Sequence, residues 1–590
     1  MANEKHTAAV QRAAFETAVL SNGMRVLVRP MPGFSGIHAV CGTAFGSVDA
    51  AFELDGTRVE VPADTAHFLE HKMIESEEGD AFALYAATGA SANAFTSFDK
   101  TCYLFTCTDR FEENLAILLG LVSRPYFTAQ TIAKEQGIIG QEIKMYEDSP
   151  EWRLVFCVYR GLYGVHPVRE DIAGTVQSIA SLTPQLLYSC TDAFYSPGQL
   201  VLAVAGNVTL AQVVAAAEQT PFAQAAHTVR RLMPAEPQAV AVPRASVCMD
   251  VAKPLVGVGF KAAVPDEAGR LSAEMAAEVM AELVCGSMTP LYRVLYDEHL
   301  AGPDFSGEVL SVPGAFSVLF GGETEDPARV EALLMEEIAR LAREGVDEEL
   351  FRLCKNQMYG ELLAGLENVE DAATGLLSAW LRGRTPAQEL QALAALTPAD
   401  VNAALRATLR RMAENLPESY RQKADEAIAA HLLAMPAYLE AETVFCFVGT
   451  GWEIDTHPVL ARALADGKRL CVPLCTGPGI MELRQITSLS QLSPGAYHLP
   501  EPPADAPLVA VDAVDLAVLP CMGCNHLGHR LGRGGGFYDR FLAAYRSAAV
   551  LLCRERLIRE EIPLEPHDLP IPWVLTERGL YEDGTPARLG

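Results

Sequence analysis

Apolar and polar positions alternate with a period of two across residues 18–60, which predicts strands separated by turns at SNG and PGF. The spacing becomes helical over Asp64–Met73, and strand character returns in SANAFTSFDKTCYLFTCT, which spans Ser91–Thr108. FEENLAILLGLVSRP then predicts a helix that stops at its proline, and Thr128–Asp148 predicts a longer helix with Thr128 as its N-cap. This order of elements indicates an α+β lobe.

A comparable order occurs a second time. After the strand VLAVAGNV, a polar stretch near residues 220–242 contains several prolines and is typical of a linker. From Ala245 onward the pattern predicts a strand, a long helix over Ala273–Cys285, strands around Phe305–Gly321, and further helices. The self-similarity in sequence is weak, but the order predicts a repeated α+β lobe.

The pattern changes again beyond about residue 400. The apolar segments ETVFCFV, RLCVPLC, LAVLPC and AAVLLC alternate with helical segments, which predicts an α/β domain with parallel strands. We place the last boundary within a helix, near Leu405–Met412. The predicted organisation is a lobe at 1–220, a linker at 221–244, a second lobe at 245–404 and an α/β domain at 405–590.

Charge and composition narrow the possible functions. The net charge of −29 argues against nucleic-acid binding and against docking on anionic lipid. We find neither a secretory signal nor an apolar run long enough to span a membrane, and the 14 cysteines form no compact disulfide framework. We therefore expect a cytoplasmic protein with reduced thiols.

The pentapeptide HFLEH places His67 and His71 one turn apart on a helix, where both imidazoles can reach one metal ion. Glu70 can then lie beside the metal without ligating it, as a general base for a water molecule. The helix KEQGIIGQEIKMYED offers Glu135 and Glu142, seven residues apart on one face, as a third ligand or an orienting carboxylate. Two histidines on a helix are often ordinary surface residues, so the pentapeptide alone leaves both interpretations open.

HFLEH is the inverted zinc motif of the inverzincins, and its surroundings resemble the pitrilysin/insulinase family of metallopeptidases. The resemblance is carried by GASANAFTSFDKTCYLF, EQGIIGQEIKMYEDSPEWR, HPVREDIAGTVQSI and FYSPGQLVLAVAGNV, in the family order over about residues 18–210. It implies a two-lobed half-clamshell with Zn²⁺ held by His67, His71 and Glu142 and with Glu70 as the base. It also implies that Glu135 orients a ligand histidine without touching the metal, and that Asn93 contacts an extended peptide substrate added at a strand edge.

The second lobe departs from the family pattern. Members often carry an Arg and a Tyr in a stretch resembling LR-x-x-x-GL-x-Y, and these residues assist the tetrahedral oxyanion. Here the nearest text is LYDEHLAGPDF, with Tyr296 and Phe305 at those positions and Arg293 out of register. Because two lobes form half of the family's closed chamber, the resemblance implies a homodimer or pairing with a related peptidase-like subunit.

A second candidate site lies in HRLGRGGGFYDR, a glycine-rich loop between a predicted strand and a predicted helix. Glycines let backbone N–H groups approach phosphate oxygens, and a helix N-terminus favours an anion. Arg530 and Arg533 can add charge-assisted hydrogen bonds. The segment is neither a Walker loop nor a dinucleotide fingerprint, and a glycine run alone is also typical of a flexible turn.

The segment closely resembles 5-formyltetrahydrofolate cyclo-ligase, whose hallmark is R-L-G-x-G-x-G-[YF]-Y-D, and supporting text extends over about residues 410–581. The resemblance implies ATP-dependent, Mg²⁺-assisted closure of 5-formyltetrahydrofolate to the 5,10-methenyl form, in an α/β domain with a mainly parallel sheet. Asp539 would bind Mg²⁺ and Glu453 would face the folate. The residues implied to contact ATP are Arg406, Arg530, Gly532, Arg533, Gly534, Gly535, Gly536 and Tyr538.

Two departures accompany this resemblance. The family opens with K-x-x-x-L-R, whereas Asn402 occupies the lysine position here. PCMGCNHLGH replaces a stretch that usually resembles PGxxFDxxG, and it contains Cys521 and Cys524 in a C-x-x-C pattern with His526 and His529 nearby. That span is too tight to surround one ion easily, so unpaired thiols are preferred over a zinc or redox site.

The sequence therefore predicts a bifunctional fusion of a zinc metallopeptidase and an ATP-dependent 5-formyltetrahydrofolate cyclo-ligase. The alternative is that one module is catalytically inactive. In that case the peptidase part would serve as a peptide-binding or assembly subunit.

Overall fold

The chain divides into two compact units, Met1–Glu331 with Val346–Ala404 and Ala332–Gly345 with Leu405–Gly590. The structure, a computed structural model, describes residues 12–76, 79–222, 227–414, 418–450, 453–477, 480–495, 500–531, 536–558 and 569–587. Each unit has its own apolar core, and each is described separately below.

The first unit mixes short strands with longer helices. Its described strands are β1 Glu16–Val19, β2 Arg25–Pro30, β3 Ile37–Thr43, β4 Ala51–Leu54, β5 Thr57–Glu60, β6 Glu75–Ser76, β7 Gly79–Asp80, β8 Ser91–Thr96, β9 Thr101–Cys107, β10 Leu200–Gly206, β11 Val229–Arg231, β12 Leu255–Lys261, β13 Ser306–Val312 and β14 Ala315–Glu323. Its helices are α1 Thr65–Ile74, α2 Ala81–Thr88, α3 Phe111–Ser123, α4 Ala129–Glu147, α5 Pro150–Leu162, α6 Val176–Ile179, α7 Pro184–Phe194, α8 Leu210–Ala217, α9 Arg270–Cys285, α10 Pro290–Asp297, α11 Pro327–Glu344, α12 Glu348–Gly365, α13 Val369–Leu381, α14 Pro386–Ala395 and α15 Pro398–Glu414. Helices α11 and α15 run on into the second unit.

The main sheet of the first unit has the order β1-β2-β10-β3-β9-β8, so β8 lies at an edge. Every residue of β10 is buried, because the strand is covered on both faces. One face packs on the core that includes Phe68 and Leu118, and the other packs on Leu376 and Leu377 of α13. This buried sheet supports β8 and helix α1, which carry the candidate peptidase residues.

A separate three-stranded sheet, β12-β14-β13, follows later in the same unit. Its strand β12 packs closely on α5, and two glycines make that approach feasible. A Cβ atom at Gly259 would lie 2.5 Å from a methyl carbon of Val158, and one at Gly257 would lie 2.8 Å from the same side chain. The second lobe thus has strands and helices in the predicted order, but its sheet is smaller than the first.

The segment predicted as a linker makes buried contacts. Strand β11 pairs with β4, and Glu236 accepts hydrogen bonds from the backbone N–H groups of Gly164, Val165 and His166 at 2.8–2.9 Å. The same carboxylate pairs with Lys261 Nζ at 2.6 Å, and each side chain is only 7% exposed. The segment is therefore tied to the first lobe and to β12.

The second unit is an α/β domain. Its strands are β15 Thr443–Cys446, β16 Arg469–Gly477, β17 Ile480–Ile486, β18 Ser493–Pro494, β19 Pro500–Glu501, β20 Leu508–Val509, β21 Leu516–Leu519, β22 Gly523–Cys524, β23 Arg530–Leu531, β24 Ala548–Leu552, β25 Trp573–Thr576, β26 Gly579–Glu582 and β27 Thr585–Ala587. Its further helices are α16 Glu418–Ala434, α17 Pro436–Glu440, α18 His457–Ala465 and α19 Phe537–Ala544.

The large sheet of this unit has the order β20-β17-β16-β15-β21-β24-β25-β26-β27. The five central strands, β16-β15-β21-β24-β25, are parallel to one another. On one side β17 pairs antiparallel with β16 and β20 pairs antiparallel with β17. On the other side β26 pairs antiparallel with β25 and β27 pairs antiparallel with β26. The expectation of a mainly parallel sheet therefore needs correction to a mixed sheet. β17 forms a hairpin with β16, and β26 forms hairpins with β25 and β27, while the two-residue β20 adds at the outer edge of β17. Strands as short as β20 and β27 carry a weak apolar signal.

Most elements predicted from periodicity are confirmed. The helix predicted over Thr128–Asp148 is α4, and Thr128 caps it by accepting a hydrogen bond from the Thr131 N–H at 3.1 Å. The predicted helix near HFLEH is α1, and the boundary predicted near Leu405 falls within the continuous helix α15. Among the described residues, none of the helices combines the length and apolarity needed to cross a membrane.

The Glu236–Lys261 pair makes the first unit sensitive to acid. Burial alone would raise the pKa of Glu236, but the Lys261 ammonium and three backbone donors outweigh it and lower the pKa from 4.5 to about 2. A lowered folded-state pKa gives stabilisation that is fully present above pH 4.5 and is lost as pH falls towards 2. Glu236→Gln should destabilise the first unit by about 3 kcal/mol at pH 7, because it leaves Lys261 buried without a counterion.

The control is Glu349→Gln, which removes the exposed partner of the exposed Arg352 in the same unit and should change stability very little. Urea unfolding midpoints at several pH values check the prediction. The difference between wild type and Glu236→Gln should shrink below pH 4.5, and a difference that is constant with pH would contradict the assignment.

Candidate functional site

Helix α1 brings the residues of HFLEH together on a buried surface. His67 and Glu70 are each 8% exposed, and the two imidazole rings of the motif lie 4.8 Å apart between centroids. The helix packs against β8 and β9, so its inner face cannot turn towards solvent. The alternative interpretation, in which the two histidines are ordinary surface residues on an exposed helix face, does not describe this environment.

Helix α4 supplies the two carboxylates. Glu142 Oε1 lies 3.6 Å from His67 Nε2, and Glu142 Oε2 lies 3.4 Å from His71 Nε2. Glu135 Oε1 lies 3.1 Å from His71 Nδ1, the nitrogen on the opposite side of that ring. The structure thus brings together four of the residues predicted from sequence, namely His67, His71, Glu135 and Glu142. The two glutamates contact different ring nitrogens of His71.

These contacts shift the pKa values of two groups. Burial lowers the pKa of His71, but the hydrogen bond to Glu135 and the charges of Glu142 and Glu70 outweigh it, so the net shift is upward. The hydrogen bond to His67 lowers the pKa of Glu142 despite partial burial. The site therefore favours a negative carboxylate next to the imidazoles, which is the charge distribution that suits a cation.

The donor set fits zinc. Ligand atoms of His67, His71 and Glu142 lie within 4.8 Å of one another. Two imidazoles and a carboxylate are a usual three-ligand set for a catalytic zinc with one open position. Glu135 would hold His71 with Nε2 facing the ion, as outer carboxylates commonly do. His67 has no equivalent support, because its buried Nδ1 makes no hydrogen bond within the described part of the chain.

Sequence reasoning missed two hydroxyl groups at this centre. Thr96 Oγ1 donates to Glu70 Oε2 at 2.7 Å, and the Tyr146 hydroxyl donates to Glu142 Oε1 at 3.0 Å. Thr96 lies in β8, inside the quoted stretch SANAFTSF, and Tyr146 lies one turn after Glu142 on α4. The helical spacing of Glu142 and Tyr146 was visible in the sequence, whereas the contact of Thr96 depends on how β8 packs against α1.

The predicted peptide contact lies on an edge strand. Asn93 is an exposed residue of β8, and its side-chain oxygen accepts a hydrogen bond from the Ala94 N–H at 2.9 Å. Strand β8 pairs only with β9 within the described sheet, so its other edge is available to an extended chain.

The residues nearest the family's oxyanion pattern do not join this centre. Tyr296 is 57% exposed on α10 and stacks on Tyr292, while Arg293 pairs with Asp297 at 3.3 Å on the surface. Phe305 is buried in the core. Among the described contacts, none of these side chains touches the zinc-site residues.

In the second unit, Arg530 and Asp539 form an ion pair through Arg530 Nη2 and Asp539 Oδ1. Gly536 adopts a left-handed conformation (φ 63°) immediately before α19, so the turn into this helix favours glycine. Tyr538, in the first turn of α19, packs against the apolar core. The predicted residues Gly532, Arg533, Gly534 and Gly535 lie outside the described part of the chain.

Glu453 follows β15 and lies next to a buried ion pair that the sequence did not indicate. Arg554 Nε and Nη2 contact the carboxylate of Asp425 at 2.7 and 2.8 Å, and Nη2 also donates to the Glu453 backbone carbonyl at 2.8 Å. Arg406 is separate from this group among the described contacts, because its guanidinium donates to the Ala342 carbonyl at 3.3 Å.

Several of these residues follow parallel strands at their carboxyl ends. Glu453 follows β15 and Arg554 follows β24, while the hairpin with Arg530 follows β21. The carboxyl edge of a parallel sheet is the usual ligand-binding position in α/β domains. The structure therefore supports a ligand site at this edge, with Arg530 and Asp539 on one side and Glu453 on another strand end.

Comparison with known proteins gives three family matches. Residues 56–176 match the insulinase family (peptidase family M16), residues 181–358 match the peptidase M16 inactive domain, and residues 399–577 match the 5-formyltetrahydrofolate cyclo-ligase family. The three matches follow one another along the chain without overlapping.

Individual relatives agree with this division. The chain is 37% identical over 359 residues to the uncharacterized zinc protease YmfH of Bacillus subtilis, covering 60% of this chain and 83% of that protein. It is 27% identical over 180 residues to the 5-formyltetrahydrofolate cyclo-ligase of Escherichia coli, covering 30% of this chain and 99% of that protein. An M16-like peptidase structure from Alicyclobacillus acidocaldarius has 32% identity and a TM-score of 0.65, covering 68% of this chain and 96% of that one.

The zinc assignment predicts graded losses of metal affinity. Glu142→Gln removes a ligand charge and should weaken zinc binding by more than about a hundredfold, whereas Glu135→Gln should weaken it about 10–100-fold by releasing His71 from its fixed orientation. Glu147→Gln, an exposed residue of the same helix, is the matched control and should bind zinc like the wild type. Competition against a chromophoric chelator measures all three, and equal affinities for Glu142→Gln and Glu147→Gln would contradict the ligand set.

Proposed function

The chain belongs to the insulinase family of peptidases (family M16) and carries a C-terminal domain of the 5-formyltetrahydrofolate cyclo-ligase family, and on this basis we propose that it is a bifunctional enzyme. The first activity is hydrolysis of peptide bonds by a zinc-dependent site. The second is ATP-dependent conversion of 5-formyltetrahydrofolate to the 5,10-methenyl form.

The observation that carries the peptidase proposal is the convergence of α1 and α4. His67, His71 and Glu142 present three ligand atoms within 4.8 Å of one another, and Glu70 projects from the same helix as the two histidines. Zinc bound there would act as a Lewis acid that makes a water molecule more acidic and polarises the scissile carbonyl.

The chain's own side chains then have distinct roles. Glu70 takes a proton from the attacking water and delivers it to the leaving amide nitrogen, so that the peptide bond breaks with no net change in the protonation of Glu70. Thr96 holds one Glu70 oxygen through its 2.7 Å hydrogen bond and leaves the other for the water. The free edge of β8 aligns the substrate backbone, with Asn93 as a side-chain contact.

The oxyanion contact is proposed to come from a second subunit, either another copy of this chain or a related peptidase-like chain. This follows from the surface positions of Tyr296 and Arg293, which do not contact the zinc-site residues within the described structure. A buried catalytic chamber would require a partner to cover the exposed edge of β8.

The cyclo-ligase proposal rests on the carboxyl edge of the second sheet. Arg530 and the turn at Gly536 are proposed to contact ATP phosphates, and Asp539 is proposed to share Mg²⁺ with them. The Arg530–Asp539 pair and the left-handed Gly536 before α19 support this proposal. When bound, Mg²⁺ would neutralise phosphate charge while the formyl oxygen accepts the γ-phosphoryl group and ADP leaves. Attack by N10, the neighbouring exocyclic amine nitrogen, on the formyl carbon then closes the new ring with loss of the N10 proton and departure of phosphate, and Glu453 is proposed to face the folate.

A second candidate function remains for the first unit. The family domain matched by residues 181–358 is described as inactive, and no Arg/Tyr pair joins the metal centre within the described residues. A chain of this kind could bind peptides without cleaving them and act as an assembly subunit. The peptidase hypothesis is favoured because the three zinc ligand residues and Glu70 converge.

Glu70→Gln separates these alternatives. The substitution preserves shape and the Thr96 contact but removes the base, so peptide cleavage should fall by at least about a hundredfold while zinc content stays unchanged. Cyclo-ligase activity of the same preparation is the internal control and should equal that of the wild type. Mass spectrometry of a peptide library incubated with each protein measures cleavage. Undiminished cleavage by Glu70→Gln would show that Glu70 is not the base. A wild-type protein that binds peptides but never cleaves them would favour the assembly role.

The ligase proposal predicts that Asp539→Asn lowers turnover at limiting Mg²⁺ by at least about tenfold, because one charge-assisted contact contributes about 1.5–3 kcal/mol. Asp512→Asn, an exposed carboxylate of the same unit, is the control and should leave the rate unchanged. Appearance of the methenyl chromophore with ATP and 5-formyltetrahydrofolate measures turnover. Absence of product from the wild type at saturating substrates would reject the activity itself.

A further inference from the structure

Three thiols meet in the second unit, although the sequence indicated only two of them. Cys521 and Cys524 follow β21, and Cys553 follows β24, which is the parallel neighbour of β21. Because Leu519 pairs with Leu551, both strands end at the same level of the sheet. Their Sγ atoms lie within 4.8 Å of one another, and all three cysteines are free.

We propose that Cys521, Cys524 and Cys553 form a thiolate site for one zinc ion, distinct from the His67–His71–Glu142 centre. Zinc binds thiolates at about 2.3 Å, which puts the sulfurs of a tetrahedral site about 3.8 Å apart. The observed cluster requires only small side-chain movements to reach that spacing. The inference does not depend on either proposed activity.

Burial and hydrogen bonding suit this role. Cys524 and Cys553 are buried, while Cys521 is partly exposed and provides a route for the ion and for a fourth ligand such as water. Cys521 and Cys553 donate S–H hydrogen bonds to the backbone carbonyls of Leu552 and Arg554 at 3.4 and 3.5 Å, and zinc binding would release these thiol protons.

The third sulfur, from Cys553, supplies the ligand that the closely spaced Cys521 and Cys524 lack when they are considered alone. A C-x-x-C pair alone cannot surround an ion, and the two nearby histidines have other contacts. His526 stacks on Tyr581 with 3.8 Å between ring centroids, and His529 Nδ1 lies 3.2 Å from the Asn525 amide nitrogen. Cys553 approaches instead from a different strand. A disulfide would use only two of these sulfurs and would leave the third thiol buried beside it.

The position of the cluster suggests what the ion would stabilise. Cys524 is paired in register with Arg530 in the hairpin of β22 and β23, and Arg530 contacts Asp539 at the start of α19. A zinc ion shared with Cys553 would tie this hairpin to the end of β24. The site would then fix the strand that leads into the glycine-rich sequence, in the way that structural zinc sites order small elements.

Cobalt titration of the reduced, metal-free, full-length chain tests the proposal. Thiolate ligands give Co²⁺ an intense near-ultraviolet charge-transfer band, which the histidine–carboxylate centre cannot produce because it contains no sulfur. We expect the fully developed band to correspond to one thiolate-bound Co²⁺ per chain and to be complete by two equivalents, because the His67–His71–Glu142 centre takes up the other. Cys521→Ser and Cys553→Ser should each abolish it and remove one zinc per chain from the metal content, whereas Cys475→Ser, a partly exposed cysteine of the same unit, should change neither.

If a serine variant fails to fold, the wild-type chain alone still tests the proposal. Absence of the charge-transfer band from the folded, reduced wild type would overturn the proposal. A protein isolated without reductant that shows two fewer titratable thiols after denaturation, and no thiolate band after reduction, would identify a disulfide pair instead. A band that persists in both Cys521→Ser and Cys553→Ser would place the metal elsewhere and would equally reject this site.

Discussion

The candidate peptidase centre depends on one constraint: a single carboxylate must face two imidazoles from a different helix. Glu142 meets this constraint with its two oxygens 3.6 and 3.4 Å from His67 and His71. The approach requires α4 to lie against the buried face of α1, and the apolar core beneath both helices maintains that packing. His67 and Glu70 are each 8% exposed, and burying such polar groups is unfavourable without compensation, so a bound cation accounts for the composition of the cluster better than a structural role does.

The second unit follows a different principle. Its candidate ligand residues come from loops that follow parallel strands, and they converge because those strands end at one edge of the sheet. The buried Arg554–Asp425 pair fixes the backbone beside Glu453, and the Arg530–Asp539 pair connects the β22–β23 hairpin to α19. The two candidate catalytic sites thus use unrelated physical solutions, and neither requires the chemistry of the other.

Much of this organisation was predictable because it is local. The helical spacing of His67 and His71, the spacing of Glu135 and Glu142, and the cap at Thr128 are all properties of short segments, and the structure places them as expected. Contacts between distant segments were not predictable in the same way. Thr96 reaches Glu70 through sheet packing, and Cys553 joins Cys521 and Cys524 through strand order. The antiparallel edges of the large sheet were missed because short edge strands have little apolar periodicity.

If the residues converging from α1 and α4 form a zinc centre, crystals of the full-length chain grown with zinc should reveal it when diffraction is measured on both sides of the zinc absorption edge. We expect an anomalous peak bonded to Nε2 of His67, Nε2 of His71 and a carboxylate oxygen of Glu142, with Glu135 still hydrogen-bonded to His71 Nδ1. Zinc-soaked crystals with no peak at this position, and with the Glu142 carboxylate still 3.4–3.6 Å from the two imidazoles, would contradict it.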